Sequence, residues 1–173
     1  YSGTGLNSGS KVVFAAYGEP QRQLCTEVPG VLQELKGFGK ATLAMPGVVA
    51  LGTPPFTLQA KAAAEAAMLD QQLAHQAEAL KGVAMIVLVD DPDFVAAKLN
   101  NYLWVTYTRC NPSHDIYGIN PFTAHKHWGC DGPLVIDARI KPHHAPPVEK
   151  DPAVEKRIDT IFAKGGSLHG VLK

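Results

Sequence analysis

AMIVLVDDP, residues 84–92, is the stretch on which the fold turns. Its first six residues are uninterrupted and apolar, which suits a central parallel strand covered on both faces. The run then stops at Asp90-Asp91-Pro92. Asp91 is a natural helix N-cap, and Pro92 fits the first helical position, where a missing N–H costs nothing. A helix is therefore expected over 92–107, with Val95, Leu99, Tyr102 or Leu103, and Thr106 along one side. Its second half, YLWVTY, pulls the other way through high β propensity.

Upstream, residues 57–81 form the clearest helical pattern. Leu58, Ala62, Ala66, Leu69, Leu73, Ala77 and Leu80 recur at steps of four or three and fall on one stripe. Pro54 and Pro55 mark its start, and Gly82 can supply a left-handed cap at its end. The alanine-rich face allows close approach to a sheet or a partner helix, and His75 lies off the stripe among solvated positions. Downstream, PLVIDA (133–138) reads as another strand. Strand and helix thus alternate, which implies an α/β layered domain with a mixed, largely parallel sheet flanked by helices.

The flanks are less regular. Residues 1–10, YSGTGLNSGS, read as a linker or leading loop. Gly3, Gly5 and Gly9 lack the preceding strand and closing Lys-Ser or Lys-Thr of a phosphate loop. KVVFAAY (11–17) suggests a short buried strand. Residues 19–35, punctuated by Pro20 and Pro29, hold a turn and room for a short helix. Residues 40–52 read as two strands hinged at Pro46-Gly47. A last amphipathic helix is expected over 151–162 through Val154, Ile158 and Ile161, ending before Gly165-Gly166. Residues 11–173 are expected to form a single domain.

Composition bounds the function. The 173 residues carry 16 basic and 16 acidic side chains, so net charge is zero. That argues against nucleic acid or an acidic membrane as partner. No apolar run approaches the roughly 20 residues of a membrane span. No secretory leader opens the sequence, and Cys25, Cys110 and Cys130 are irregularly spaced, so a cytoplasmic protein with reduced thiols is expected. The first residue is Tyr1 rather than Met, which suggests processing or a piece of a longer chain.

Chemistry concentrates in residues 101–147, with five of the seven histidines, both tryptophans and two of the three cysteines. His125, His127 and Cys130 offer N and S ligands to a metal. A fourth would have to come from Asp131, His143 or His144. The other reading is a polar loop whose imidazoles bond backbone or substrate. Cys110 and Cys130 are either nucleophiles beside a histidine or small buried thiols. Ser113-His114-Asp115 are chain neighbours and cannot line up as a relay. Arg109 could face a carboxylate or phosphate, or satisfy helix-end carbonyls. Asp90 and Asp91 stand at the carboxyl end of the expected central strand, where open α/β sheets place sites.

Taken together, IVLVDDPDFVAAKLNNYLWVTYTR (86–109), the loop with Asp115 and DIYGI, and GPLVIDA (132–138) resemble the C-terminal portion of UbiD-like decarboxylases. Leu103, Trp104, Thr108 and Arg109 fit the family's helix, and Ile136, Asp137 and Ala138 its later strand. HWGCDGPLVIDARIKPHHAPP (127–147) looks closest to the branch of phenylphosphate carboxylase subunits and hydroxyarene enzymes. The likeness runs best from about residue 60 to 141.

The resemblance implies reversible decarboxylation of aromatic or α,β-unsaturated acids on prenylated FMN, held with a divalent metal and potassium. The flavin ligands and catalytic Glu-Arg-Glu set of the family lie in upstream domains. Glu19, Arg22, Glu27 and Glu34 are close in sequence but lack that context. No catalytic, cofactor or metal residue is therefore assigned to this chain, and none of those groups is expected on it alone. Its expected place is as C-terminal domain, or as a small subunit beside a separate large one, giving oligomer contacts and part of the substrate pocket. Ile116, Tyr117 and Ile119, after the Thr-Arg helix, carry the implied substrate contact. The alternatives from other classes are an assembly or regulatory module with the same fold and a small metal-binding protein.

Overall fold

The structure, a computed structural model, describes residues 12–15, 17–144 and 151–171. The chain separates into two compact units, Tyr1–Pro142 and His143–Lys173.

In the first unit, a 3-10 turn at Gly30–Leu32 precedes strands β1 (Ala41–Met45) and β2 (Val48–Gly52). They form the expected hairpin. Gly47 takes φ +77 at its turn, a value a glycine adopts without strain. Helix α1 (Gln59–Leu73) leads to β3 (Met85–Val89). Then come α2 (Pro92–Ala96), α3 (Leu99–Arg109), β4 (Ile116–Gly118), a hairpin of β5 (Pro121–Ala124) and β6 (His127–Cys130), and β7 (Leu134–Asp137). The main sheet runs β1-β2-β3-β7-β4. Its core pairs β2–β3 and β3–β7 are parallel, and its outer pairs β1–β2 and β4–β7 antiparallel. It is thus mixed with a parallel core, and the apolar run at 85–89 is its interior strand.

Period-two alternation feeds two cores. Val49, Leu51, Ile86, Leu88 and Val135 meet Leu69 and Leu73 of α1. Val48, Ala50, Val87, Val89 and Ile136 meet Val95, Tyr102 and Val105 of α2 and α3. Each buried Val or Leu stabilises the fold by roughly 1.5–3 kcal/mol relative to exposure, which explains why a strand with no polar face sits at the centre.

Three expectations are corrected. The helix expected over 57–81 is α1 alone, followed by turns. Asn120, at φ 52, accounts for the early stop: its backbone N–H donates to Asp70 Oδ1 at 2.7 Å, and its side-chain amide donates to the Ala74 carbonyl at 2.9 Å. The chain then folds back to bury Leu80 and Val83. Gly82 is consequently no left-handed cap. Its carbonyl accepts from the Cys25 N–H at 2.9 Å, and a Cβ there would lie 2.7 Å from that nitrogen. The helix expected over 92–107 is broken at Lys98, which is extended. Asn101 Nδ2 donates to the Phe94 carbonyl at 2.8 Å, which also accepts from the Ala97 N–H at 3.4 Å. Asp91 does cap α2, accepting from the Phe94 N–H at 3.0 Å. Of the strand expected at 11–17, the described residues have no strand conformation. Among these described residues, Phe14 meets Tyr107 edge-on at 5.6 Å. Lys11 and Ala16 lie outside the described residues, as does the linker expected at 1–10.

The second unit contains α4 (Pro152–Phe162), capped by Asp151, whose carboxylate accepts from the Ala153 and Val154 N–H groups. Among the described residues, no helix is long and apolar enough to cross a membrane.

Candidate functional site

The charged groups of the first unit gather at the carboxyl edge of the parallel core. Asp90 follows β3, Asp137 ends β7, and Arg139 and Lys141 follow on the same side of the extended chain. Asp115, just before β4, joins them, since its carbonyl accepts the Asp137 N–H at 2.9 Å.

Arg139 is wholly buried. Its guanidinium grips Asp137 with both arms: Nε to Oδ1 at 3.0 Å and Nη2 to Oδ2 at 2.7 Å. Nη1 donates to Glu65 Oε2 of α1 and to the Pro54 carbonyl, each at 2.7 Å. Phe56 lies 5.7 Å from the guanidinium carbon, a cation–π distance. Burial works to lower the Arg139 pKa. The hydrogen bonds and charge of Asp137, with Glu65 adding to them, outweigh it and hold the group above its ordinary value. Lys141 Nζ lies 3.1 Å from Asp115 Oδ2 and 3.8 Å from Asp137 Oδ1. Five charged side chains are therefore buried together: Glu65, Asp115, Asp137, Arg139 and Lys141.

Gln59, at the start of α1, links this cluster to β4. Its Nε2 donates to the His114 carbonyl at 3.0 Å and to Tyr117 Oη at 3.1 Å, with Asp115 Oδ1 at 3.4 Å. Burial pushes the Tyr117 phenol above its ordinary value. The Gln59 bond opposes that, and the Asp115 charge adds to it. Across the sheet, Asp90 pairs with Arg109 at 3.3 Å and accepts the Ile140 N–H at 2.8 Å. Arg109 thus faces a carboxylate, and its guanidinium lies 5.2 Å from the Trp104 ring. An open groove of about 460 Å³ runs past Asp90, with Gly52, Thr53 and Lys40 on its walls.

The three substrate-contact candidates do not share a face. Ile116 pairs with Ile136 and so lies on the α2/α3 side, whereas Tyr117 pairs with Val135 on the α1 side. Ile119 packs into the α1-side core and is 1 % exposed. His125 and Lys126, at φ 49 and 68, form the turn of the β5–β6 hairpin. His127 and Cys130 are three apart in β6 and point to opposite faces, which separates two of the proposed metal ligands. Among the described residues, no three His, Cys, Asp or Glu side chains converge to hold a metal. Burial raises both thiol pKa values, Cys110 to about 11 with the Asp115 charge assisting, away from the thiolate a nucleophile needs. Ser113 bonds its neighbour His114, while Asp115 turns inward.

The sequence reading did not assign Glu65, Gln59, Arg139 or Lys141. Two signals were present. Asp137, Arg139 and Lys141 alternate along an extended run, and Glu65 is a lone carboxylate beside Ala62, Ala66 and Leu69 on a buried stripe.

The charge network bears on the implied flavin and its ions. Each buried carboxylate already has a cation of this chain, and the Arg139 donors are taken up by Asp137, Glu65 and Pro54. The cluster therefore does not fit a flavin phosphate or its metal.

No family model matches the sequence. A protein of Chlamydia pneumoniae described as a subunit of 4-hydroxybenzoate decarboxylase is 29 % identical over 165 residues, 91 % of this chain and 25 % of that protein. An uncharacterised protein of Chlamydia trachomatis is 27 % identical over 161 residues, 92 % of this chain and 25 % of that protein. Among solved structures, the UbiD-class enzyme HmfF from Pelotomaculum thermopropionicum, an evolved dimeric form in complex with prFMN, aligns with a TM-score of 0.44 at 18 % identity, over 73 % of this chain and 26 % of that one. Vanillic acid decarboxylase of Sedimentibacter hydroxybenzoicus, in open form, aligns with a TM-score of 0.45 at 14 % identity, over 75 % and 29 %. The chain is an α/β protein similar in sequence to a protein described as a decarboxylase subunit. The resemblance to the UbiD-like decarboxylases is borne out. The chain spans about a quarter of the length of the curated relatives it matches.

Proposed function

We propose that this chain is the C-terminal domain or small subunit of a UbiD-like, prenylated-FMN-dependent (de)carboxylase acting on aromatic or unsaturated acids in the cytoplasm. The observation that carries this reading is similarity along nine-tenths of the chain to the chlamydial protein described as a 4-hydroxybenzoate decarboxylase subunit. Chemistry supports the division of labour. Loss of CO2 from an aromatic acid leaves electrons that need a sink, and cofactors supply it. The flavin, its divalent metal and potassium then belong to upstream domains or a separate large subunit. This chain gives oligomer contacts and one wall of the pocket. Tyr117 makes the polar contact to substrate, Ile116 packs on the opposite side of β4, and Ile119 supports the strand from beneath.

The test is reconstitution with the flavin-binding partner. The pair is expected to show flavin absorbance and to release CO2 from 4-hydroxybenzoate or a related acid, and the isolated chain to do neither. Tyr117→Ala should change substrate preference or KM at least several-fold and leave oligomeric state intact. Unchanged kinetics with a disrupted assembly would make the chain an assembly module instead.

A further inference from the structure

We infer that Lys141 is a positioning residue whose ammonium group serves as a built-in monovalent cation, gathering the segments that set Tyr117. The geometry around Nζ is that of an ion site rather than a single salt bridge. Three backbone carbonyls face it: Arg109 at 3.2 Å, Asp137 at 3.2 Å and Arg139 at 3.4 Å. Asp115 Oδ2 lies at 3.1 Å and Asp137 Oδ1 at 3.8 Å. The Phe56 ring closes another side at 5.4 Å. The side chain is 3 % exposed, so water contributes little.

The carbonyls come from two segments, the end of α3 and the stretch leaving β7, which Asp90 also ties together by pairing with Arg109 and accepting the Ile140 N–H. Arg109 closes α3, where the helix dipole favours a cation. Asp137 ends β7, and Arg139 belongs to the segment leaving it. Asp115 is the residue on which the α3–β4 loop turns, since its Oδ2 also accepts the Asn111 N–H at 2.7 Å. Two residues on is Tyr117, and Gln59 reaches Asp115, the His114 carbonyl and the Tyr117 hydroxyl with one amide nitrogen. The ammonium thus fixes Asp115, Asp115 with Gln59 fixes the phenol, and the tether through residues 137–141 keeps the cation from leaving. The role given to Tyr117 rests on the proposed function. The ion site does not.

The experiment uses the isolated chain and needs no activity. Lys141→Ala opens the site and is expected to lower the thermal midpoint by about 10 °C or more. Ammonium or potassium at ~100 mM, close in size to the lost group, should restore at least half of that loss. Tetramethylammonium at equal ionic strength should not. Lys141→Met, whose methyl fills the position, should be destabilised and insensitive to all three salts. The NMR signals of labelled Tyr117 should move in Lys141→Ala and return with ammonium. Equal recovery in every salt, no recovery in any, or a Lys141→Met protein as stable as the parent would each overturn the inference. If Lys141→Ala does not fold, Asp115→Asn is compared in the parent and in Lys141→Met. Smaller loss in the second background supports the clamp, and equal loss overturns it. Failed reconstitution kinetics with intact ion rescue would sink the proposed function alone.

Discussion

Replacing Arg139 by methionine tests how the sheet edge is held. The guanidinium has no solvent contact and makes four short bonds: two to Asp137, one to Glu65 and one to the Pro54 carbonyl. Removing one partner of a buried pair costs roughly 3–5 kcal/mol, because the remaining charge is left uncompensated. Arg139→Met strands two carboxylates, though Asp137 keeps Lys141 at 3.8 Å and Glu65 keeps the exposed Lys61 at 3.9 Å. These contacts are long, so the full ~3–5 kcal/mol is expected. In a unit of this size that lowers the thermal midpoint by roughly 10–20 °C. Urea denaturation should show the same loss in midpoint with an unchanged slope. Arg139→Lys keeps the charge without the fork, and about half the loss is expected. The deciding variant combines Arg139→Met with Asp137→Asn and Glu65→Gln. Neutralising all three removes the stranded charge, so most of the stability should return. A single variant within about 3 °C of the parent, or a triple variant as weak as Arg139→Met, would refute the reasoning.

Site-resolved alkylation of Cys110 should show an apparent pKa near 11 rather than the ~8.5 of a free thiol; a midpoint near 8.5 would place the thiol in water. The sign for stability follows: the native state keeps this proton longer than the unfolded chain, so the contribution is complete below about 8.5 and is lost as pH rises through about 11. Gly118→Ala should loosen the β5–β6 hairpin, because a Cβ there would overlap the Cys130 side chain; faster amide exchange over 121–130 is the readout, and unchanged protection would count against it. Asp91→Ala removes the α2 cap and should cost about 1 kcal/mol, seen as a few degrees of thermal midpoint. Sedimentation at micromolar concentration should show a dimer; a monomer would reject the proposed self-association.

Local patterns carried the sequence reading a long way. The run at 85–89 suited an interior strand, because no face of it tolerates water, and Asp91-Pro92 announced the helix start chemically. The hinge at Pro46-Gly47 and the helix capped by Asp151 were legible for the same reason: each rests on contacts within a few residues. The helix boundaries were not. Asn120 ends α1 from 46 residues away, and Asn101 accommodates the α2–α3 break by taking a carbonyl seven residues back. The wording of IVLVDD, LW, TR and IDA pointed to the resemblance that similarity to the chlamydial decarboxylase subunit supports. The charged cluster needed the fold. Glu65, Asp115 and Arg139 lie scattered along the sequence, and nothing local says that they meet. Only the parallel core, by bringing the ends of β3 and β7 together over α1, removes them from water. Once dry, each charge must find its opposite, and tertiary structure alone decides which one is in reach.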